Sequence, residues 1–454
     1  MNKLIILFAV LVSATGCRKY VEIEQIGKRT LTYTKDYRAL LDNNSQLESG
    51  FSLPIYSGDD TRVLDVSKQN GMLDIQANAY TWQAKYWSEA QSDGDWERLY
   101  KMIYTANEAI AGVLESEGGT DADKKQLYAE ALVHRAYAYW CLVNIYGRQY
   151  DAATAATDLG VPLLLTPDLF ASLNRASVAD VYSQVISDLK EALDPLPALP
   201  DYNTRPSKSA VYALLARTCL MTRDFTNARS YAEQALALKS GLLDLRTFAT
   251  SNTGFPFRIN DPEVILSKIN IPATTYTGIQ LDTGLLTLLG TSDLRYKLFV
   301  RAGAGFNPAF TGYGYSRYFL SRETNVIAQG PGVPEMLLIK AECAARSDDA
   351  GTAIGILNTI REKRFTAADY KALPVETPEK ALESVVNERR LEFFGTGLRW
   401  FDQKRLNKDA KFARTVTRSF KGVNYTLEPN SNRYMFPIGD KYIILNPELQ
   451  QNER

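Results

Sequence analysis

Apolar residues recur three and four positions apart along much of this chain, and that period predicts amphipathic helices. Leu99, Ile103, Ala106, Ile110 and Val113 form such a stripe over 96–114, and Gly118-Gly119 closes it. Leu127, Ala131, Leu132, Ala136, Tyr139, Trp140 and Val143 form another over 123–146. A third helix is predicted over 177–193, where Ser177 is followed by Asp180 in a capping arrangement that satisfies the first free N–H groups. A shorter helix over 35–42 precedes them.

Two stretches share a pattern. Over 209–236, Tyr212, Ala216, Cys219, Phe225, Ala228, Ala232 and Ala235 fit a tetratricopeptide-like helix pair, with Asp224-Phe225 at the turn and small residues where the helices meet. Leu337, Ala341, Ala344, Ala353, Leu357 and Ile360 repeat the spacing over 335–361, and Ala216 to Ala228 is the same interval as Ala341 to Ala353. With the earlier helices these pairs make about four units, enough to bury a continuous core. The period fails over about 48–95 and again over about 240–333, where Gly, Thr and Tyr with short apolar runs suit loops and short strands. After 405, residues 412–434 read as irregular or hairpin-like. The fold class predicted is mainly α, a tetratricopeptide-like scaffold over about 96–240 and 334–405 with loop-rich insertions and a few short strands.

A helix is also predicted from Pro378-Glu379, a favourable first turn. Leu382, Val385, Val386, Arg389 and Phe393 share one side of it, and Gly395 and Gly397 end it. A guanidinium on an apolar face has to be paired, and Glu388, Glu392 and Asp402 are the nearest acids in sequence. Those three carboxylates have two readings. One is acid–base or glycosidic chemistry. The other, which the need to neutralise Arg389, Arg390, Arg399 and Arg405 favours, is structural pairing.

The chain carries 52 basic and 52 acidic side chains, so it lacks the cationic excess of a nucleic-acid binder. No phosphate-cradling Gly loop, zinc spacing, nucleophile elbow or dinucleotide fingerprint is present. Cys141, Cys219 and Cys343 fall inside apolar helical patterns and read as small core residues. His134, the only histidine, reads as a surface or satisfied residue rather than a catalyst. Met1-Asn2-Lys3, the apolar run 4–12 and the small residues before Cys17 resemble a bacterial lipoprotein signal, which would be cut before Cys17 and the cysteine lipidated.

The stretch ERRLEFFGTGLRWFDQKR resembles the C-terminal signature of the SusD/RagB family of nutrient-binding outer-membrane lipoproteins, on Glu388, Arg389, Glu392, Gly397, Arg399, Asp402 and Arg405. Thr396 and Leu398 depart from it, where the family commonly carries Glu and His. Trp96, Leu99 and Tyr100, and the tail at Pro437, Ile438, Asn446, Pro447, Leu449, Gln451 and Asn452, resemble the family as well. The resemblance implies a signal peptide over 1–16 and one SusD-like domain over 17–454. It implies a protein anchored through Cys17 and facing the cell exterior, which captures an oligosaccharide or other nutrient without a cofactor or catalysis. It further implies delivery to a TonB-dependent, SusC-like transporter, with the helical side making that contact. A helical carbohydrate-active enzyme and a protein-binding helical-repeat scaffold are the alternatives.

A sugar receptor needs flat aromatics beside hydrogen-bonding groups. Loops that carry both are 56–60, 80–87 and 276–318. The expected platforms are Trp82, Trp87, Tyr313 and Tyr315, with core packing the competing role for Trp82 and Trp87. Tyr56, Asp59, Asp60 and Arg317 are expected beside them, bonding hydroxyls or an acidic group. Paired Asp such as Asp59-Asp60 in a loop also suits a cation or a turn cap, and the cap is the default.

Overall fold

Polar caps start the helices where the pattern places them. Asp93 opens α2 (Gly94–Gly112), Thr120 opens α3 (Asp121–Tyr146) and Ser177 opens α4 (Val178–Glu191), each after α1 (Thr34–Leu41). Ser207 opens α5 (Lys208–Met221) and Asp224 opens α6 (Phe225–Leu238). Pro334 lies in the first turn of α7 (Val333–Arg346), Asp349 opens α8 (Ala350–Glu362) and Thr377 opens α9 (Pro378–Phe393), which α10 (Leu398–Leu406) follows. Every capping oxygen named accepts a first-turn N–H that would otherwise lack a partner. This computed structural model describes residues 31–249, 254–270, 279–305, 310–321, 323 and 326–454. The expected signal segment 1–16, the lipidation site Cys17 and Tyr276 lie outside them.

From α2 to α9 each helix packs on the next, so the predicted pairs stack into one continuous scaffold. α6 packs directly on α7 although residues 239–332 lie between them. α3 is its centre. Every residue from Ala129 to Tyr146 is buried, because the helix is covered by α1, α2, α4 and the strand β1 (Leu159–Pro162). A helix covered on all sides loses the one-faced pattern of a surface helix.

The strands are short and form four antiparallel pairs among the described residues. β1 pairs with β2 (Arg175–Ser177), β3 (Ile269–Asn270) with β6 (Ile327–Ala328), and β4 (Val300–Ala302) with β5 (Tyr313–Tyr315). The 412–434 stretch resolves into a hairpin, β7 (Val416–Phe420) and β8 (Val423–Leu427). Its two-residue turn, Lys421-Gly422, has both residues at positive φ (48° and 79°), the turn class that matches strand twist.

His134 is buried on α3, with its Nδ1 2.8 Å from the Lys268 Nζ. That amine also donates to the Leu47 carbonyl, so the pair fastens the 240–333 insertion to the scaffold. Burial pulls Lys268 down to about 7. The three cysteines are buried and free.

Arg389 meets Asp402 at 2.9 Å, as the sequence suggests, and also Glu335 of α7 at 3.1 Å. Asp402 lies 2.7 Å from Arg405, which also forks onto Glu342 at 2.7 and 2.8 Å. Glu392 lies 2.8 Å from both Arg295 and Arg364, and Glu388 lies 2.7 Å from Arg295 and 3.2 Å from Arg361. The three carboxylates are therefore each held by two arginines. Burial alone would raise Glu392, but Arg364 and Arg295 outweigh it and hold it near 2. The turn from α9 to α10 requires glycine. Gly397 has φ 88°, and a Cβ there would come within 2.9 Å of Ile55 Cγ1.

Candidate functional site

The first turn of α2 builds a corner between the scaffold and the 48–95 segment. Asp93 Oδ1 accepts from the N–H groups of Asp95 (3.0 Å) and Trp96 (3.3 Å), and its Oδ2 accepts from the Tyr146 hydroxyl at 2.5 Å. Asp95 accepts from the N–H groups of Ser52 (2.9 Å) and Leu53 (3.0 Å), which ties an upstream chain segment to the helix. Arg98 then reaches back over Gly94. Its Nη2 donates to Asp95 Oδ1 (2.5 Å) and Ser52 Oγ (3.1 Å), while its buried Nε has no partner.

A cavity of about 250 Å³ opens at this corner. Leu53, Ile55, Leu73, Ile75 and Ile279, with the rings of Tyr56 and Trp87, give it apolar walls. Arg98, Gln76, Ser92 and Asn270 supply polar groups. Beneath them burial, then the neighbouring Asp95 carboxylate, push Asp93 up to about 7 against the pull of its Tyr146 and backbone hydrogen bonds. Burial likewise holds the Tyr56 phenol above its ordinary value, with Gln76 opposing. An apolar wall facing a few fixed donors and acceptors suits a ligand with one apolar and one hydroxylated side. The volume fits one ring of such a ligand better than a whole oligomer.

Of the residues expected to bind, Tyr56 and Trp87 line this cavity. Trp82 does not. It is fully buried, donates from Nε1 to the Ser57 carbonyl at 3.1 Å and carries the Arg418 guanidinium 4.4 Å from its ring. It has no open face for a sugar, and core packing is its role. Tyr315 is also buried, edge-on to Phe394 at 5.0 Å. Tyr313 is 41% exposed but belongs to a different surface, beside Tyr296 at 6.2 Å.

The charged candidates are engaged within the fold. Asp59 accepts from Arg399 at 2.7 Å and from Arg414, and Asp60 accepts from Arg390 at 2.8 Å. These two aspartates neutralise Arg390 of α9 and Arg399 of α10. Arg317 donates to Asp261 at 3.1 Å and to Glu263. Sequence reasoning missed Arg98, Leu53, Ile75 and Asn270. The Asp93-x-Asp95-x-x-Arg98 start was visible only as a helix cap, because the Ser52–Leu53 partner lies far upstream.

Comparison with known proteins adds the following. A family model described as starch-binding, associating with the outer membrane, matches residues 55–220, and a SusD-family model matches residues 333–454. The SusD-like protein P38 of Formosa agariphila is 24% identical over 428 aligned positions, covering 79% of this chain and 78% of that protein. A SusD superfamily protein from Bacteroides thetaiotaomicron superposes with a TM-score of 0.74 at 21% identity, over 93% of this chain and 100% of that one. A SusD-like carbohydrate-binding protein from Bacteroides vulgatus gives 0.69 at 20% identity, over 92% and 97%. These structures share the mainly helical fold with its short strand pairs.

Proposed function

Since the chain belongs to the SusD/RagB family of outer-membrane nutrient-binding proteins, we propose that it captures a glycan in the cavity at the start of α2. The observation that carries this reading is the cavity's composition. Trp87 and Tyr56 offer ring surface, and Arg98, Gln76, Ser92 and Asn270 supply polar groups beside them, the pairing that a sugar's apolar face and hydroxyl edge require. A relative named as carbohydrate-binding shares the fold, which supports the choice of ligand class.

In this reading the protein binds without altering its ligand, because the buried carboxylates are held by arginines in a structural network. It is held at the outer membrane through a lipid on Cys17. It passes its ligand to a SusC-like TonB-dependent transporter that contacts the helical scaffold. None of the helices in the described residues is long and apolar enough to cross a membrane.

The test is titration calorimetry against a panel of neutral oligosaccharides, with mass spectrometry of the recovered sugar. The expected result is binding by the parent protein, sugar recovered intact, and a loss of about 1–3 kcal/mol in Trp87→Ala. A shortened sugar, or undiminished binding by both Trp87→Ala and Arg98→Ala, overturns the reading.

A further inference from the structure

The α2 cavity has room for about one sugar ring, so the rest of a longer ligand has to lie outside it. An exposed apolar strip leads away from it. Leu73, which lines the cavity, is exposed, and so are Leu64 and Val66 at the start of the short helix Val66–Gly71. Beyond them stand Tyr313 of β5 and Tyr296 of the short helix Leu294–Phe299, their rings 6.2 Å apart and inclined at 53°.

Two chain segments run from the cavity to this pair. Ile279 lines the cavity, and two residues later the Leu281 N–H donates to the Tyr313 carbonyl at 2.8 Å. Strand geometry then sets the Tyr313 backbone roughly 8–10 Å from that of Ile279. The second segment is 64–73. Its Leu64 N–H donates to Gln280 Oε1 at 2.9 Å, and Asp65, the cap of its short helix, accepts from Thr311 Oγ1 at 2.5 Å. Gly312 (φ 114°) brings the chain against Gln280, whose Nε2 would lie 2.6 Å from a Cβ there. The Tyr313 backbone is thus fixed while its side chain stays exposed. Two other exposed tyrosines differ from it. Tyr33 has Lys35 over its ring at 5.2 Å, and Tyr202 has Arg205 at 5.4 Å, whereas Tyr313 has a second aromatic ring beside it.

We propose that Tyr313 and Tyr296 form a second sugar subsite, joined to the α2 cavity by the Leu73, Val66 and Leu64 strip, so that the ligand is an oligosaccharide spanning both. The choice of a glycan rests on the function proposed above. Each tyrosine presents an apolar face to a sugar ring and a hydroxyl to its edge. A contiguous exposed apolar strip is a feature that marks binding grooves. A protein partner would use the same apolar area, but continuity with the cavity through 64–73 and 279–281 favours one ligand lying along both.

The experiment titrates the full-length protein by calorimetry with cello-, malto- and laminari-oligosaccharides, each as a disaccharide and as a hexasaccharide. In the series that binds, the hexasaccharide is expected to bind about tenfold more tightly than the disaccharide. Tyr313→Ala should remove that gain with disaccharide affinity and the thermal midpoint unchanged. Tyr313→Phe, which keeps the ring, should retain most of the gain, and Tyr296→Ala should reduce it. Trp87→Ala should weaken both lengths. Equal affinity for the two lengths, or a gain that survives Tyr313→Ala, overturns the proposal. So does a gain lost as fully in Tyr313→Phe as in Tyr313→Ala, or an equal loss of both lengths in Tyr313→Ala. Dissociation of an oligomer in Tyr313→Ala, seen by light scattering, overturns it as well and assigns the strip to a second copy of the chain. If the disaccharide binds through Trp87 and length adds nothing, this inference fails alone. If no sugar binds, or Trp87→Ala and Arg98→Ala bind both lengths undiminished, the reading of the α2 cavity fails and takes this inference with it.

Discussion

Trp82 holds a left-handed backbone (φ 52°) with its ring wholly buried, a conformation that persists only where packing over-determines it. Trp82→Ala is expected to cost about 3–5 kcal/mol of stability, measured by urea unfolding, whereas Trp87→Ala should cost clearly less. Similar losses in both would contradict the separation of core from cavity. Asp93 gives a second residue-scale prediction. Its folded value of about 7 stands above the ordinary 3.8, so between these values the folded chain keeps a proton that the unfolded chain has released. Stability from this group therefore falls as pH rises from about 4 to about 7. Asn at this position can still cap α2 without the charge. Asp93→Asn should gain on the parent protein across that window, by roughly 2–4 kcal/mol at the alkaline end. Parallel unfolding free energies from pH 4 to pH 8 would refute the assignment. The aromatic character of the 79–96 segment was plain in the sequence, but which ring faces a cavity depends on Arg418, Ser57 and Ile279 from remote segments. Asp59 and Asp60 looked free for a ligand for the same reason, since Arg390, Arg399 and Arg414 reach them across most of the chain length.

Helices were legible because their information is local. Caps at Ser177, Asp224 and Thr377 and the matched alanines of the two repeats specify starts and contacts within a few turns. α3 begins earlier than its apolar stripe does, because Thr120 and Asp123 form a capping box ahead of it. What joins the elements was less legible. Arg389 found Asp402 nearby but also Glu335 of α7, and Arg405 found Glu342 of that same helix. These pairs bind α7, α9 and α10 into one block, and they give it an acid response. Burial would raise Glu342, yet Arg405 and Arg346 bring it down to about 2, below its ordinary 4.5. Its contribution is thus complete above about 4.5 and disappears as pH falls towards 2. Glu342→Gln should lose about 3–5 kcal/mol at neutral pH, because Arg405 is left buried with part of its charge unmatched. That deficit should shrink as pH falls from 4.5 to 2. Denaturation measured across this range checks it, and a constant deficit would show that the pair is not the source.

For the whole molecule, the anchor proposed at Cys17 predicts where the protein resides. Cys17→Ala should leave the membrane fraction and lose its lipid-dependent shift in mobility, with glycan binding by the described domain retained. Membrane association that survives the change would remove the anchor from the account. The closed junction of α6 on α7 has a wider consequence. Because the 239–332 segment leaves and re-enters the scaffold at adjoining helices, it is a detour whose length does not set the phase of the helices on either side. Lengthening such a detour is thermodynamically mild, about 0.6 kcal/mol per doubling of a flexible loop. The same segment supplies Asn270 and Ile279 to the cavity at the start of α2. One cassette can therefore vary in evolution to alter what is held, so long as it keeps Lys268 and Arg295, which tie it to His134 of α3 and to Glu388 and Glu392 of α9.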